Sequence, residues 1–218
     1  MDTFDLYKDI QCRTNGEIYL GVVGPVRSGK STFIKRFMDV LVLPKMTDEH
    51  AKERTVDELP QSASGKSIMT TEPKFVPKEA AEIQLAKDVS VQVRLIDCVG
   101  YMVEGAAGHM ENGAERLVKT PWNEKEIPFT KAAEIGTKKV IHDHSTIGIV
   151  VTTDGSIGEL PRNSYRAAEK KTIQELKSIG KPFVVLVNTR KPYSAEAKNV
   201  AEEIQKEYQV TALPVNCE

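Results

Sequence analysis

Residues 24–31 have the residue types and the spacing of a phosphate-binding loop. They match the pattern G-x-x-x-x-G-K-[ST], in which main-chain N–H groups at the start of a helix converge on a β-phosphate. Lys30 would bridge the β- and γ-phosphates, and the Ser31 hydroxyl would bind Mg²⁺. The pattern predicts a site for a nucleoside triphosphate, with candidate binding residues Gly24, Pro25, Val26, Arg27, Ser28, Gly29, Lys30, Ser31 and Thr32.

A second group of candidate residues lies downstream of this loop. Asp97 and Gly100 form the motif D-x-x-G after the apolar run VQVRLI. An acid at a strand end can hold a magnesium-bound water, and Gly100 can offer its N–H to the γ-phosphate. Thr70 or Thr71 could bind the metal and sense the γ-phosphate, and the sequence does not decide between them. The predicted catalytic residues are Lys30, Thr70, Thr71 and Asp97, and the predicted metal ligands are Ser31, Thr70 and Asp97.

The residues after the apolar run VVLVN bear on which base is bound. Guanine-specific P-loop proteins carry N-K-x-D at this place, whereas this chain has Asn188, Thr189, Arg190 and Lys191. A lysine cannot accept the two N–H groups of guanine. We therefore expect ATP as the substrate, with Asn188 in the binding site.

The residue after D-x-x-G bears on the rate of hydrolysis. Ras-like proteins place a water-orienting glutamine there, but this chain has Tyr101. Tyr101 could belong equally to the core or to a lid. We expect slow hydrolysis unless Thr70 or Thr71 positions the water, or a neighbouring subunit supplies a cation. Arg27 could assist from within the loop, although a solvated side chain is the simpler expectation.

Strand and helix signals alternate along the chain, which predicts an α/β fold with a mostly parallel sheet and helices on both faces. The predicted strands are residues 18–23, 82–85, 91–96, 147–152, 183–187 and 211–215. The predicted helices are residues 30–41, 132–142, 161–179 and 195–208. In the third helix, the charged residues from Glu169 to Lys177 are expected to form a solvated face.

Composition limits the class of protein. With 218 residues, 40% of them hydrophobic and 28% charged, the chain fits one water-soluble α/β domain. The formal net charge of −1 gives no basic field, so no nucleic-acid partner is expected. The sequence has no signal-peptide pattern, no apolar run of about 20 residues and no patterned cysteines, which favours a cytoplasmic location.

We expect one domain over residues 1–218. Residues 45–81 are polar and interrupted by prolines, so they are predicted to form a switch-like loop. Residues 101–130 are rich in glycine and proline and are predicted to be an irregular insertion. No helix follows the last predicted strand, which suggests the N-terminal part of a longer protein.

Long stretches outside the phosphate loop are more distinctive than the loop itself. They are GEIYLGVVGPVRSGKSTFIKRFM, DELPQSASGKSIMTTEPKFVP, RLIDCVGY, KTPWNEKEIPFTKAAEIGTKKVI and HSTIGIVVTTDGSIGELPR. Together they resemble the stage IV sporulation protein A family, the spore-coat morphogenetic ATPases of endospore-forming bacteria. The similarity runs over essentially the whole chain.

The resemblance implies an N-terminal ATPase domain that is related to translation-factor GTPases. It implies Mg²⁺-dependent ATP hydrolysis that drives self-assembly into the basement layer of the spore coat, in the mother-cell cytoplasm at the outer forespore membrane. Lys30 matches the family's Walker A lysine, Asp97 its Walker B acid, and Thr70 and Thr71 its sensor threonines. Implied partners are other copies of the chain, and also other coat proteins and the membrane surface, which would be contacted through regions that this sequence lacks.

Two other functions are compatible with a phosphate loop. The first is a GTPase-like switch that recruits a partner with little turnover, and ATP and GTP binding would distinguish it. The second is a small-molecule kinase, which would need an arginine-rich lid. Residues 101–130 contain one arginine, Arg116, so this function is the least favoured.

Overall fold

A six-stranded sheet forms the centre of the fold. The computed structural model describes residues 16–60, 71–86, 89–111 and 113–218, and for residues 85 and 86 it describes the backbone alone. The strands in this part of the chain are β1 Glu17–Val23, β2 Lys74–Ala86, β3 Val89–Asp97, β4 Met110–Glu111, β5 Ala114–Glu115, β6 Leu117–Thr120, β7 Asn123–Pro128, β8 Ile147–Thr153, β9 Phe183–Asn188 and β10 Ala212–Val215.

Five α-helices lie in the same described residues, and two of them continue into π-helical turns. The helices are α1 Lys30–Phe37, α2 Glu49–Glu58, α3 Phe129–Lys139, α4 Arg162–Ser178 and α5 Ala195–Tyr208. The π-helical turns are Met38–Val42 after α1 and Val140–His144 after α3. The first of them is followed by a 3-10 turn at Leu43–Lys45. None of the helices in the described ranges has the length and apolar character needed to cross a lipid bilayer.

Parallel pairing brings the strand ends that carry the predicted site side by side. The strand order is β10-β9-β8-β1-β3-β2, and every neighbouring pair is parallel except β2 with β3. In this register Val22 of β1 lies beside both Asp97 of β3 and Ile149 of β8. Parallel neighbours require crossover helices, and the observed alternation confirms the predicted mostly parallel α/β P-loop fold.

Helices cover both faces of the sheet, and successive residues of β1 point to opposite layers. Val22 packs in a layer with Ile34 of α1. Val23 packs in the other layer, which contains Ile173 of α4 and Ile204 of α5. Because the central strands are buried on both sides, their sequences are nearly continuous apolar runs rather than alternating patterns.

The predicted loop over residues 45–81 is wrong in two places. Helix α2 lies within it, and β2 already begins at Lys74. The Asp48 carboxylate starts α2 by accepting two main-chain N–H groups of the first turn, at 2.9 and 3.1 Å. Only Thr55 is buried in α2, so the helix has too narrow an apolar stripe for periodicity to indicate it. Residues 61–70 lie outside the described residues.

The insertion predicted as irregular at residues 101–130 contains two small antiparallel sheets, β4–β5 and β6–β7. Most residues of β4 and β7 are exposed, so these strands have no alternation of apolar and polar residues from which they could be predicted. Helix α3 begins earlier than predicted, at Phe129, whose side chain is fully buried. The Phe129 N–H also donates to the Arg116 carbonyl at 2.8 Å, which ties α3 to the insertion.

Two leucines in the central sheet allow a matched test of this core. Leu95 in β3 is fully buried, whereas Leu213 in β10 is 48% exposed. We expect Leu95→Ala to lower the free energy of unfolding by about 2–5 kcal/mol, because it removes buried contacts and leaves a cavity. We expect Leu213→Ala to cost clearly less. Urea unfolding of both variants checks this, and equal losses would contradict the assigned layers.

Candidate nucleotide-binding site

The phosphate loop lies between β1 and α1. The residue before α1 is Gly29, and its backbone conformation and surroundings require a glycine. Gly29 precedes Lys30 with a φ of 94°, in the left-handed region that residues with a Cβ rarely adopt. A Cβ at this position would lie 2.2 Å from Asn188 Nδ2. The first turn of α1 begins at this close approach, and the N–H groups of a helix N-terminus can bind an anion.

The Lys30 ammonium is buried inside the loop. The residue is 5% exposed, and its Nζ donates to the Pro25 carbonyl at 2.6 Å. Burial lowers the pKa of Lys30, and the nearby Cys98 and Asp97 oppose that shift. A cation that has lost most of its hydration gains much from a polyphosphate that replaces the water.

Ser31 and Asp97 form a hydrogen-bonded pair next to this ammonium. The Ser31 hydroxyl donates to Asp97 Oδ2 at 2.6 Å. Asp97 is half-buried as a residue, but its Oδ1 is inaccessible and has no hydrogen-bond partner among the described residues. Burial raises the pKa of Asp97, while the Ser31 hydroxyl and the Lys30 charge lower it. An orphaned carboxylate oxygen beside a hydroxyl is the kind of hard-oxygen pair that Mg²⁺ prefers, so the residues fit this metal.

The D-x-x-G loop lies directly against the phosphate loop. The Tyr101 N–H donates to the Gly24 carbonyl at 3.1 Å, and the Val26 N–H donates to the Tyr101 carbonyl at 2.8 Å. Gly100 has a φ of 93°, and a Cβ there would lie 2.1 Å from the Gly24 oxygen and 2.6 Å from Lys30 Nζ. The structure thus brings Gly100 to the lysine that the sequence assigned to the γ-phosphate.

The side chain of Tyr101 belongs to the core and not to the phosphate site. It is 3% exposed, and Lys171 Nζ lies 4.6 Å from the centre of its ring. The ring lines a cavity of about 230 Å³ between α3 and α4, together with Met102, Thr130, Glu134, Ala167, Ala168 and Lys171. Of the two placements that the sequence left open for Tyr101, the structure selects the core.

Asn188, at the end of β9, connects the phosphate loop to the segment that follows β10. Its Nδ2 donates to the Ser28 carbonyl at 3.1 Å, and its Oδ1 accepts the Cys217 N–H at 3.2 Å. The next residue, Thr189, is also buried, and its hydroxyl accepts the Lys191 N–H at 3.2 Å. Residue 191 is exposed and offers no carboxylate at the position where guanine-specific proteins place one.

The remaining predicted residues differ in their relation to this cluster. Thr32 is half-buried in the first turn of α1, and the Arg27 guanidinium donates to the Ala107 carbonyl at 3.4 Å, so Arg27 is not simply solvated. Thr71 is buried, and its carbonyl packs against Gly136 of α3. Thr70 lies outside the described residues, so its role stays a prediction.

A buried ion pair next to the site was not anticipated. Glu169 was expected on a solvated helix face, but it is 1% exposed. Arg162 binds both of its carboxylate oxygens, at 2.6 and 2.8 Å, and the Thr152 hydroxyl donates to it at 2.6 Å. Arg162 also donates to the Thr153 carbonyl at 3.3 Å, so the pair fixes the loop that leaves β8. Arg162 and Glu169 are seven positions apart, which puts both side chains on one helix face. This spacing was the sequence signal from which the ion pair could have been predicted.

Comparisons with known sequences place the chain among sporulation proteins. The family model for the ATPase domain of stage IV sporulation protein A matches residues 1–218. Proteins called stage IV sporulation protein A are similar at 57% identity over 212 residues in Clostridioides difficile strain 630, 50% over 218 in Bacillus anthracis and 51% over 218 in Bacillus subtilis strain 168. These alignments cover 97–100% of this chain but only 43–44% of the relatives, so the chain spans less than half their length.

Solved structures give a weaker likeness. Crystal structures of two mutation variants of SsGBP align with TM-scores of 0.47 at 14% and 13% identity. The alignments cover 96% and 99% of this chain and 52% and 58% of those chains. A likeness at this level carries no argument about the site.

Two glycines test the close packing of the D-x-x-G loop. Gly100 and Gly113 both have positive φ, but a Cβ at Gly113 would meet nothing within 4 Å. We expect Gly113→Ala to lower the free energy of unfolding by about 1–2 kcal/mol through backbone strain alone. Gly100→Ala should cost about 1–3 kcal/mol more, because the phosphate loop must move aside. Urea unfolding measures both, and equal costs would speak against the described contact.

Proposed function

Because this chain belongs to the stage IV sporulation protein A ATPase-domain family, we propose that it binds ATP with Mg²⁺ and hydrolyses it to ADP and phosphate. The observation that carries the proposal is a buried ammonium and an orphaned carboxylate oxygen in one cradle. The Lys30 ammonium is buried with a lowered pKa, and Asp97 Oδ1 is buried without a hydrogen-bond partner in the described residues. A triphosphate and a divalent cation would satisfy both groups.

Each residue of the cradle has a definable task in this reaction. Lys30 would neutralise charge on the β- and γ-phosphates, and Ser31 and Asp97 would hold Mg²⁺, which would offset the negative charge of the phosphate oxygens. The N–H of Gly100, a residue that lies close to Lys30 Nζ, would stabilise the γ-phosphate. Water attacks the γ-phosphorus, the bond to the bridging oxygen breaks, and ADP and inorganic phosphate leave with the protons of the water distributed between product and solvent.

Orientation of the attacking water falls to a residue other than Tyr101. Its ring is held between α3 and α4 by Lys171 and the surrounding core, so its side chain is not available for this task. Thr70 and Thr71 are the residues that we propose for metal and γ-phosphate sensing. Both precede β2 by a few residues in the sequence, so metal and γ-phosphate binding by either threonine would couple the nucleotide to the segment before β2.

The function of the longer protein is a further part of the proposal. We propose that hydrolysis drives self-assembly into the basement layer of the spore coat, at the forespore surface in the mother-cell cytoplasm. This rests on family membership and on the matched length, since the relatives extend well beyond the part that this chain covers. Other copies of the protein, other coat proteins and the membrane surface are the proposed partners, and regions outside residues 1–218 would contact the last two.

The buried Tyr101 side chain also favours a second candidate function. A P-loop domain without a water-orienting side chain at that position can hold its nucleotide for long periods and act as a switch that recruits a partner. Phosphate release under single-turnover conditions separates the two functions. Release within minutes supports the ATPase, and retention of intact nucleotide supports the switch.

Two lysines of α1 provide a matched test of the cradle. Lys30 is buried in the loop, and Lys35 is exposed on the same helix. We expect Lys30→Ala to lose about 1.5–3 kcal/mol for each charge-assisted hydrogen bond removed, which weakens ATP binding at least tenfold. Lys35→Ala should bind ATP as the unaltered protein does. Isothermal titration calorimetry measures both, and unchanged ATP binding by Lys30→Ala would sink the proposal.

The choice of base can be tested at residue 191. The unaltered protein should bind and hydrolyse ATP in preference to GTP, because Lys191 cannot accept guanine N–H groups. Lys191→Asp supplies such an acceptor, and we expect it to raise the affinity for GTP relative to ATP by about tenfold, as one charged hydrogen bond would. Lys198→Asp, at an exposed position in α5, serves as the charge-matched control. A strong GTP preference in the unaltered protein would refute the argument.

A further inference from the structure

One set of contacts around the base-side loop has no part in the proposed hydrolysis. Residues 188–191 are the last residue of β9 and the start of the loop after it, where the base of the proposed nucleotide would lie. Asn188 and Thr189 at the start of this segment are buried, whereas Arg190 and Lys191 are exposed. The exposed half is therefore not fixed by core packing, and its position depends on hydrogen bonds.

Ser156 supplies one of these hydrogen bonds from a different loop. Its hydroxyl oxygen accepts the Arg190 N–H at 3.1 Å and lies 3.4 Å from the Thr189 hydroxyl. Asp154 holds Ser156 in place, because one carboxylate oxygen accepts both the Ser156 N–H at 2.9 Å and the Ser156 hydroxyl at 2.6 Å. With its proton committed to Asp154, the Ser156 hydroxyl is left to accept from Arg190.

The loop that carries Ser156 is itself anchored at both ends. The Gly155 N–H donates to the Thr153 hydroxyl at 3.0 Å. Arg162 donates to the Thr153 carbonyl while it is paired with the buried Glu169. A loop after β8 that is held by these hydrogen bonds thus presents one oriented oxygen to the exposed residues after β9, at the edge of the sheet where parallel α/β proteins bind ligands.

We propose that Ser156, oriented by Asp154, is a positioning residue for the base and ribose of the nucleotide. It acts through the main chain of Arg190 and not through Asn188, which binds the phosphate loop. The proposal rests on the proposed nucleotide binding. It requires that the contribution of Ser156 depends on whether the ligand carries a nucleoside.

Binding of two ligands to the same variants tests this. Ser156→Ala removes the acceptor for Arg190, and the loss of one neutral hydrogen bond should weaken ATP and ADP binding by about three- to tenfold. Magnesium tripolyphosphate, which has no base or ribose, should bind Ser156→Ala as tightly as the unaltered protein. Ser156→Thr keeps the hydroxyl and should restore ATP affinity. Ser178→Ala removes an exposed hydroxyl that bonds within its own helix and should change neither ligand.

Each outcome decides the question. Equal weakening of ATP and tripolyphosphate would show a general structural role and overturn the proposal, as would unchanged ATP binding. If Ser156→Ala does not fold, Asp154→Ala gives the same comparison, since it frees the Ser156 hydroxyl to rotate. Failure of the unaltered protein to bind either ligand would instead overturn the proposed function, and this inference with it.

Discussion

The burial of a lysine ammonium within hydrogen-bonding distance of its own loop is the constraint on which the site depends. Lys30 gives up most of its hydration and receives the Pro25 carbonyl in return. One neutral acceptor does not replace a hydration shell, so the loop is held in a state that favours an incoming anion. The parallel register of β1 with β3 sets the second half of the site, because it places Asp97 beside the same turn.

Much of this arrangement follows from local sequence. The phosphate-loop spacing located Lys30 and Ser31, and the apolar run before D-x-x-G placed Asp97 at a strand end. Parallel strands then had to bring the two motifs to one edge of the sheet. The buried strands could be predicted because burial on both faces leaves uninterrupted apolar runs, which few other environments tolerate.

The features that escaped prediction depend on contacts between distant segments. Helix α2 is stabilised by one capping carboxylate and buries little beyond Thr55. Its charged sequence therefore has the pattern of a loop. Glu169 reads as a surface residue until the chain folds and Arg162 and Thr152 surround it. The hydrogen bond from Arg190 to Ser156 spans 34 positions, and no periodicity or motif connects two loops at that separation.

Tyr101 contacts both the phosphate loop and the outer helices. Its main chain continues the edge of the phosphate loop through bonds to Gly24 and Val26, while its ring sits between α3 and α4 under the Lys171 ammonium. Glu134 of α3 in turn binds Lys171 of α4 at 3.0 Å. The main chain of this residue therefore contacts the phosphate loop, and its side chain contacts the outer helices. A displacement of the main chain at position 101 would therefore also displace a ring that lies between those two helices.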